Sequence, residues 1–288
     1  MFIDPMLLAT APAPFSDSRF IFEPKIDGHR MIFSQQNGVV RLYTRHNNDC
    51  TRQYPEIASA LFPHDIVLDG EIACVDPATG NSDFEAVMTR FQAKKSDKIT
   101  ALAGTLPSAF VIFDVLQYNG KDLRRLPLMQ RKEILASVPL PSASFGIVPY
   151  IEGAGEVLFE QIEARAMEGV VGKRTDSVYE TGRRSDNWRK VINWSYADVF
   201  ITGYRKEEFG WLASVPGLDN AKMRPAGIIE LGANPTHKKA FYNVVKPLIT
   251  GEDRNFVYVE PRIRARVKMR NWTRSGMLRS PVFTEFIV

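Results

Sequence analysis

The stretch Phe22-Glu23-Pro24-Lys25-Ile26-Asp27-Gly28-His29-Arg30 sets a lysine where an amine can become a nucleophile. Lysine attacks only as the neutral amine; neighbouring cations favour that form, whereas carboxylates favour and orient the ammonium. Read as an extended segment, Phe20, Phe22, Pro24 and Ile26 share one face and Glu23, Lys25 and Asp27 the other, so the ammonium is expected between two carboxylates. Asp27-Gly28 ends the run with a turn signal, and Arg30 follows within reach of the same place. This is a layout for covalent chemistry on a phosphorylated substrate. The same pattern also describes a strand with an ordinary solvated Glu/Lys/Asp face. At roughly 6% usage per residue type, Lys-x-Asp-Gly arises by chance in about one chain of this length in twenty, so support must come from elsewhere.

Five further segments bring phosphate-handling residue types to apolar runs. Tyr43-Thr44-Arg45 lets an arginine leave the end of a strand, and Leu68-Asp69-Gly70-Glu71-Ile72 puts a carboxylate inside a strand that otherwise reads as buried. An interior glutamate is rare unless it is paired or holds a metal. Val111-Ile112-Phe113-Asp114-Val115 offers an aromatic face and a second interior carboxylate. Met167-Glu168-Gly169-Val170-Val171-Gly172-Lys173 and Arg183-Arg184-Ser185-Asp186-Asn187-Trp188-Arg189-Lys190 complete the set. Singly, each has a plainer reading: Phe113 as core, Glu168 as a helix-end charge, Arg183–Lys190 as a solvated basic loop, Arg45 and Lys173 as surface cations.

Short elements must position these residues. Phe20–Ile26, Arg30–Ser34, Val39–Thr44 and Ile66–Val75 read as strands, with Asn37-Gly38 as a hairpin turn. Asp83 is placed to cap a helix whose Phe84, Val87, Met88 and Phe91 fall on one face. Ala109–Leu116 reads as a buried strand before the turn Asn119-Gly120, and Pro127–Leu135 and Val157–Ala166 as helices. The pattern predicts an α+β body with antiparallel sheet over residues 1–194, and a small β-barrel of short strands and Gly/Pro turns over residues 195–288.

At 288 residues and 44% hydrophobic content the chain can build two cores. It carries no N-terminal basic-then-apolar signal and no apolar run near the roughly 18 residues of a membrane span. Cys50 and Cys74 cannot form a disulfide framework, and the expected compartment is the cytoplasm. The net charge of +4 divides unevenly: residues 1–195 hold 22 Lys/Arg and 24 Asp/Glu, whereas residues 196–288 hold 15 and 9. A basic C-terminal third behind a near-neutral body implies that one part does chemistry while the other grips a polyanion.

The ordered set headed by Lys25 resembles the covalent nucleotidyltransferase superfamily of ATP-dependent DNA ligases, RNA ligases and mRNA capping enzymes, over nearly the whole chain. The resemblance implies a nucleotidyltransferase domain followed by an OB-fold. It implies that Lys25 attacks the α-phosphorus of ATP and carries AMP, that Glu23 and Phe113 hold the adenine, and that Arg30, Arg45 and Glu71 hold the ribose and its surroundings. Arg184, Lys190 and Lys173 are then expected at the phosphates, Glu71 and Glu168 at a divalent metal (Mg²⁺ or Mn²⁺), and Asp27 in the sealing step. Cations converging on a triphosphate would neutralise charge on the leaving pyrophosphate, and two carboxylates suit such a metal.

Leu-Asp-Gly-Glu, Glu-Gly-Val-Val and Leu278-Arg279-Ser280-Pro281-Val282-Phe283 look more like DNA ligases than capping enzymes, and only the arm Met1–Ser18 precedes the body, as in a minimal, monomeric ligase. In the barrel, Arg262-Ile263-Arg264-Ala265-Arg266-Val267-Lys268-Met269-Arg270 alternates cations with apolar or small residues, so a strand presents the five cations on one face about 6.5–7 Å apart. With Arg279, that row is expected to bind the phosphate backbone of nicked duplex DNA, contacts that carry no sequence information. Two departures stand out: Ile192 occupies a position where the family usually has a second lysine after Lys190, and the chain ends at Val288 without the basic and acidic motif many ligases carry there. They put the efficiency of self-adenylation in question and keep two alternatives open, an RNA ligase of the same chemistry and a catalytically impaired nucleic-acid-binding relative.

Overall fold

Two sheets grow from the N-terminal strands, and the space between them is where the chemistry-bearing residues meet. The computed structural model describes residues 1–217 and 222–287 and divides into two compact units, Met1–Asn193 and Trp194–Val288. The first sheet orders Leu7–Thr10, Arg184–Ile192, Gly169–Arg174, Phe20–Pro24 and Ile151–Glu152. The second orders Val39–Thr44, His29–Gln36, Ile66–Cys74, Ser108–Tyr118 and Lys121–Asp122, with Phe145–Ile147 also paired to Ser108–Tyr118. The principal strands are antiparallel as predicted, but Leu7–Thr10 and Phe145–Ile147 pair in parallel, so the sheets are mixed.

The first sheet is covered on both faces. Its outer face, with Phe20, Phe22, Val170 and Val191, packs on Phe159 and Ile162 of the helix Gly155–Ala164. Its inner face contributes Ile21 and Trp188 to a core shared with Ile32, Val67 and Leu116 of the second sheet. The far face of the second sheet buries Met31, Phe33, Leu68, Phe110 and Ile112 against Leu135 of the helix Leu128–Ser137. Each fully buried side chain of this size is worth about 1.5–3 kcal/mol, so the three layers hold the inner faces in fixed register.

Local signals hold where their chemistry is specific. Asn37 and Gly38 take φ of 50° and 73°, the left-handed pair a tight hairpin needs, and the Asp83 side chain accepts from the Ala86 amide at the start of Phe84–Phe91. Other expectations shift. The Phe20 strand stops at Pro24, two residues short of the predicted end. Arg184–Ile192 is a strand rather than a basic loop: its charges hid the alternation, but Trp188, Val191 and Ile192 are buried. The helix Ser96–Thr105 went unpredicted because its stripe is weak, with Ile99 its one buried residue.

The second unit closes as a barrel. Ser195–Arg205 pairs with Trp211–Pro216, which pairs with Met223–Ile229; Phe256–Met269 pairs with Ser195–Arg205 on one side and with Val282–Ile287 on the other. A parallel bridge between Leu231 and Val282 joins the two ends of that run, while Ile249–Glu252 extends one edge. A helix, Pro235–Val244, interrupts what the sequence suggested were only strands and turns. It is started by Asn234, whose side chain accepts from the His237 amide, and its Phe241 packs on Trp211 with ring centroids 4.9 Å apart. Among the described residues no helix is long and apolar enough to cross a membrane.

Candidate active site

Lys25 lies just beyond its strand, yet its backbone amide still donates to the Gly169 carbonyl at 2.8 Å. Gly169 sits at φ +152°, and a Cβ there would fall 2.1 Å from the Val191 carbonyl oxygen, so only glycine lets the two strands close beside the lysine. The ammonium donates to Glu168 Oε2 at 2.7 Å, with 20% of the lysine side chain and 6% of the glutamate exposed. The carboxylate it meets is therefore that of the residue before Gly169, while Glu23, which strand alternation also set beside it, takes two other lysines. The reason is local: alternation stops governing side-chain direction where the strand stops at Pro24. Asp27 is half-buried ahead of Gly28.

Glu23 points elsewhere. It is 2% exposed, and its two oxygens take two lysines, Oε2 the Lys173 ammonium at 2.8 Å and Oε1 the Lys132 ammonium in a short contact. Lys173 Nζ also donates to the Phe113 carbonyl at 3.1 Å and lies 4.5 Å from the Phe113 ring centroid and 4.1 Å from that of Trp188. Burial pulls Lys173 down to about 8, partly countered by Glu23 and reinforced by the Lys132 charge. The predicted meeting of Lys173 with Arg184 at the phosphates is thus not what the side chains do. Arg184 is exposed and donates to the Leu8 carbonyl. Lys190 is half-buried and lies opposite Val171, which lies opposite Glu23, so these three share the inner face. Arg189 crosses to the outer face, 5.7 Å from the Phe15 ring and 5.5 Å from Phe20, and Ile192 is buried.

On the second sheet Arg30 and Glu71 are direct neighbours across the strand pair. Arg30 makes two hydrogen bonds to Asp69, at 3.0 and 2.6 Å, and stands 5.3 Å from the Phe113 ring centroid. Asp69 also accepts from the Tyr179 hydroxyl at 2.6 Å, and that hydroxyl accepts from the Met6 amide at 3.0 Å. Burial pushes Glu71 up to about 8; Lys25 and Arg30 oppose the shift, and the Glu168 charge adds to it. Gly28 makes this proximity possible, since a Cβ there would lie 2.1 Å from the Ile72 carbonyl oxygen and 2.8 Å from Glu71 Cγ. Arg45 is exposed at the end of its strand, with its guanidinium on His46 at 3.0 Å.

Glu71 and Glu168 are thus two carboxylates beside one lysine, and the charge of Glu168 is felt at Glu71. Such a donor set suits a hard divalent cation, which relieves the repulsion and is commonly held by one or two carboxylates plus phosphate oxygens and water. Among the described residues no cluster of three or more His, Cys, Asp or Glu could hold a metal ion. Asp114, the other interior carboxylate, is spent structurally in a fully buried pair with Arg131 at 2.8 Å.

On the barrel, Ala265, Val267 and Met269 are buried, which turns Arg262, Arg264, Arg266 and Lys268 to the other face of the strand, whereas Arg270 lies beyond its end and has a buried guanidinium nitrogen. The row is not uniformly cationic. Asp198 accepts from Arg266 at 2.9 Å and lies 3.7 Å from Arg264, Glu285 lies 3.5 Å from Arg266, and Glu260 2.6 Å from Arg262. Self-repulsion is thus relieved internally at that end. At the other end Lys268 and Arg270 flank the Trp194 ring at 5.0 and 5.1 Å, and the Arg270 amide donates to the carbonyl of Arg279.

Lys132, Asp69 and Tyr179 were not singled out by sequence. Lys132 belongs to a helix whose polar residues look solvated, and only the packing of Leu128–Ser137 against the sheets buries it. Asp69 had a signal, its place in the same apolar strand as Glu71.

A family model for the ATP-dependent DNA ligase domain matches residues 5–191. The SPbeta prophage-derived DNA ligase-like protein LigB of Bacillus subtilis is 36% identical over 288 residues, all of both chains. The multifunctional non-homologous end joining protein LigD of Mycolicibacterium smegmatis is 29% identical over 96% of this chain, which spans 37% of that longer protein. Among solved structures, mycobacterial DNA ligase D complexed with ATP and MES superposes with a TM-score of 0.60 at 26% identity, covering 99% of this chain and 95% of that one. A Lig E DNA ligase shares the fold at TM-score 0.68 and 17% identity, covering 99% and 100%. By the family model over residues 5–191 and the 36% identity across all of both chains, the chain belongs to the ATP-dependent DNA ligase family.

Proposed function

We propose that this ligase seals nicks in duplex DNA with Lys25 as its nucleophile, Met1–Asn193 as the adenylation domain and Trp194–Val288 as an OB-fold that grips the DNA. The observation that carries the reading is the Lys25 ammonium, 2.7 Å from Glu168 and beside Glu71, with Arg30 and Lys173 both set against the Phe113 ring and Lys173 paired to Glu23. Lys25 gives up its proton, for which Glu168 Oε2 is the acceptor in contact. Its Nζ then forms a bond to the α-phosphorus of ATP as the bond from that phosphorus to the bridging oxygen of pyrophosphate breaks. AMP next passes to the 5′-phosphate at a nick, with Lys25 leaving as the amine. The neighbouring 3′-hydroxyl attacks that phosphate, its proton goes to solvent or to Asp27, and AMP departs.

The roles of the other residues follow from their placement. Phe113 offers a flat apolar face to the base, and Glu23 accepts from its exocyclic amine. Arg30 is braced by Asp69 and Tyr179 and faces the ribose side with Glu71, while Lys190, Arg45 and Arg184 serve the phosphates. Lys173 acts in the base pocket, since its ammonium is committed to Glu23 and the Phe113 carbonyl. Glu71 and Glu168 would hold Mg²⁺ or Mn²⁺, which would supply charge neutralisation at the phosphates. The relative named for non-homologous end joining supports a place in DNA repair.

Incubation with ATP labelled at the α-phosphate, followed by addition of nicked DNA or nicked RNA duplex, tests the reading. Wild type is expected to form an acid-resistant adduct and seal DNA, and Lys25→Ala to do neither. Sealing by Lys25→Ala, or a wild type that forms no adduct, would overturn it.

A further inference from the structure

A second cluster of buried charge in the first unit centres on Glu23, two residues before Lys25. Glu23 is held by Lys132 from the helix Leu128–Ser137 and by Lys173 from the adjacent strand, one ammonium on each oxygen. All three side chains are nearly or fully buried, with Glu23 at 3%, Lys132 at 4% and Lys173 at 2% exposure. With one lysine on each oxygen the carboxylate is fixed in place from two sides. Each carboxylate oxygen has two lone pairs, so one lysine apiece leaves acceptor capacity on both for a ligand.

We propose that Lys132 is a positioning residue for base recognition. It fixes the orientation of the Glu23 carboxylate beside the Lys173–Phe113 contact, so that the pocket accepts a purine bearing an exocyclic amine and rejects one without it. This rests on the reading that Glu23 meets the base. Lys173 cannot do the work alone, because its ammonium is already shared with the Phe113 carbonyl and wedged between the Phe113 and Trp188 rings. Lys132 has no such division: beyond Glu23, its ammonium faces the exposed Tyr150 ring, 5.6 Å away. It also comes from a separate element, so the carboxylate is fixed from two directions and cannot swing about a single ion pair. A purely structural tie between helix and sheet would use the same atoms, so the test must separate selectivity from stability.

Adduct formation is measured over a range of ATP and of purine riboside triphosphate, which lacks the 6-amino group, for the full chain and for Lys132→Met, Lys132→Arg and Glu23→Gln. Wild type is expected to favour ATP by about tenfold or more in kcat/KM, the value of one charge-assisted hydrogen bond. Lys132→Met is expected to raise KM for ATP about tenfold with little change in kcat, and to leave the analogue unaffected, so that the preference collapses. Lys132→Arg should restore it. If Lys132→Met is recovered unfolded, Lys132→Gln, which keeps a donor without charge, is expected to show the same collapse. Retention of the wild-type preference by the Lys132→Met or Lys132→Gln variant while Glu23→Gln loses it would overturn the proposal and leave the role of Glu23 standing. An equal fall for both nucleotides, carried in kcat and not rescued by arginine, would show a structural tie and overturn it too. A wild type indifferent to the amino group would overturn both readings together.

Discussion

Burial at Lys173 makes a pH-dependent difference that can be read in stability. Its ammonium is pulled down to about 8, whereas in the unfolded chain a lysine stays charged to about 10.4. Below 8 both states carry the proton and the folded state bears the cost of burying it. Between the two values the unfolded chain binds the extra proton, so this group's contribution to stability rises with pH across that window. Urea unfolding of wild type and Lys173→Met at pH 7.5 and near pH 10 should show wild type gaining relative to the variant as pH rises; a gap that stays constant or moves the other way contradicts the assignment. The carboxylate partner of Lys25 shows the limit of reading residues by spacing alone. Glu23 stands two residues before it and takes two other lysines, whereas Glu168, 143 positions away, accepts from it.

At the level of elements, glycines decide how closely the strands carrying the site approach. Alanine at position 28 would press on the Ile72 carbonyl at 2.1 Å and on Glu71 Cγ. Gly28→Ala is expected to cost about 1–3 kcal/mol of stability by denaturant titration, the usual penalty for overpacking, and to slow adduct formation beyond what that loss explains because Glu71 is displaced. The strand Phe256–Met269 offers a second test. Asp198 occupies Arg266 and lies near Arg264, so Asp198→Asn should free cation capacity for phosphate and tighten nicked-DNA binding several-fold in an equilibrium titration at low salt. Unchanged or weaker binding would show that this end of the strand does not meet DNA. The alternation of that strand was legible because one face is buried, and so was Glu260, two residues before Arg262 on the same strand; Asp198 and Glu285 were not, because they come from neighbouring strands whose register only the barrel fixes.

Across the whole molecule, charge and chemistry are divided between the units. Trp194 and Ser195 are uncharged, so the counts of 22 against 24 and 15 against 9 apply equally to Met1–Asn193 and Trp194–Val288. Removing the charges of Lys268 and Arg270 together is expected to weaken binding of nicked duplex and to flatten the dependence of log affinity on log salt by about two, near 0.9 for each phosphate that is no longer neutralised. Adduct formation with ATP in the absence of DNA should be unaffected. A salt slope equal to that of wild type would remove this end of the barrel from the DNA interface.

What the sequence determined by itself is the chemistry and its scaffold: a lysine before Asp-Gly, interior carboxylates on strands, an α+β body and a following barrel. These are local properties, carried by residue type, by apolar periodicity and by turn residues such as Asn37-Gly38 that need no distant partner. Only the tertiary structure decided which charge answers which. It gave Lys25 to Glu168, Glu23 to Lys132 and Lys173, Arg30 to Asp69 and Asp114 to Arg131. Pairing of buried charge is set by which side chains are left facing one another when two sheets and a helix close and water leaves, and no spacing along the chain records that.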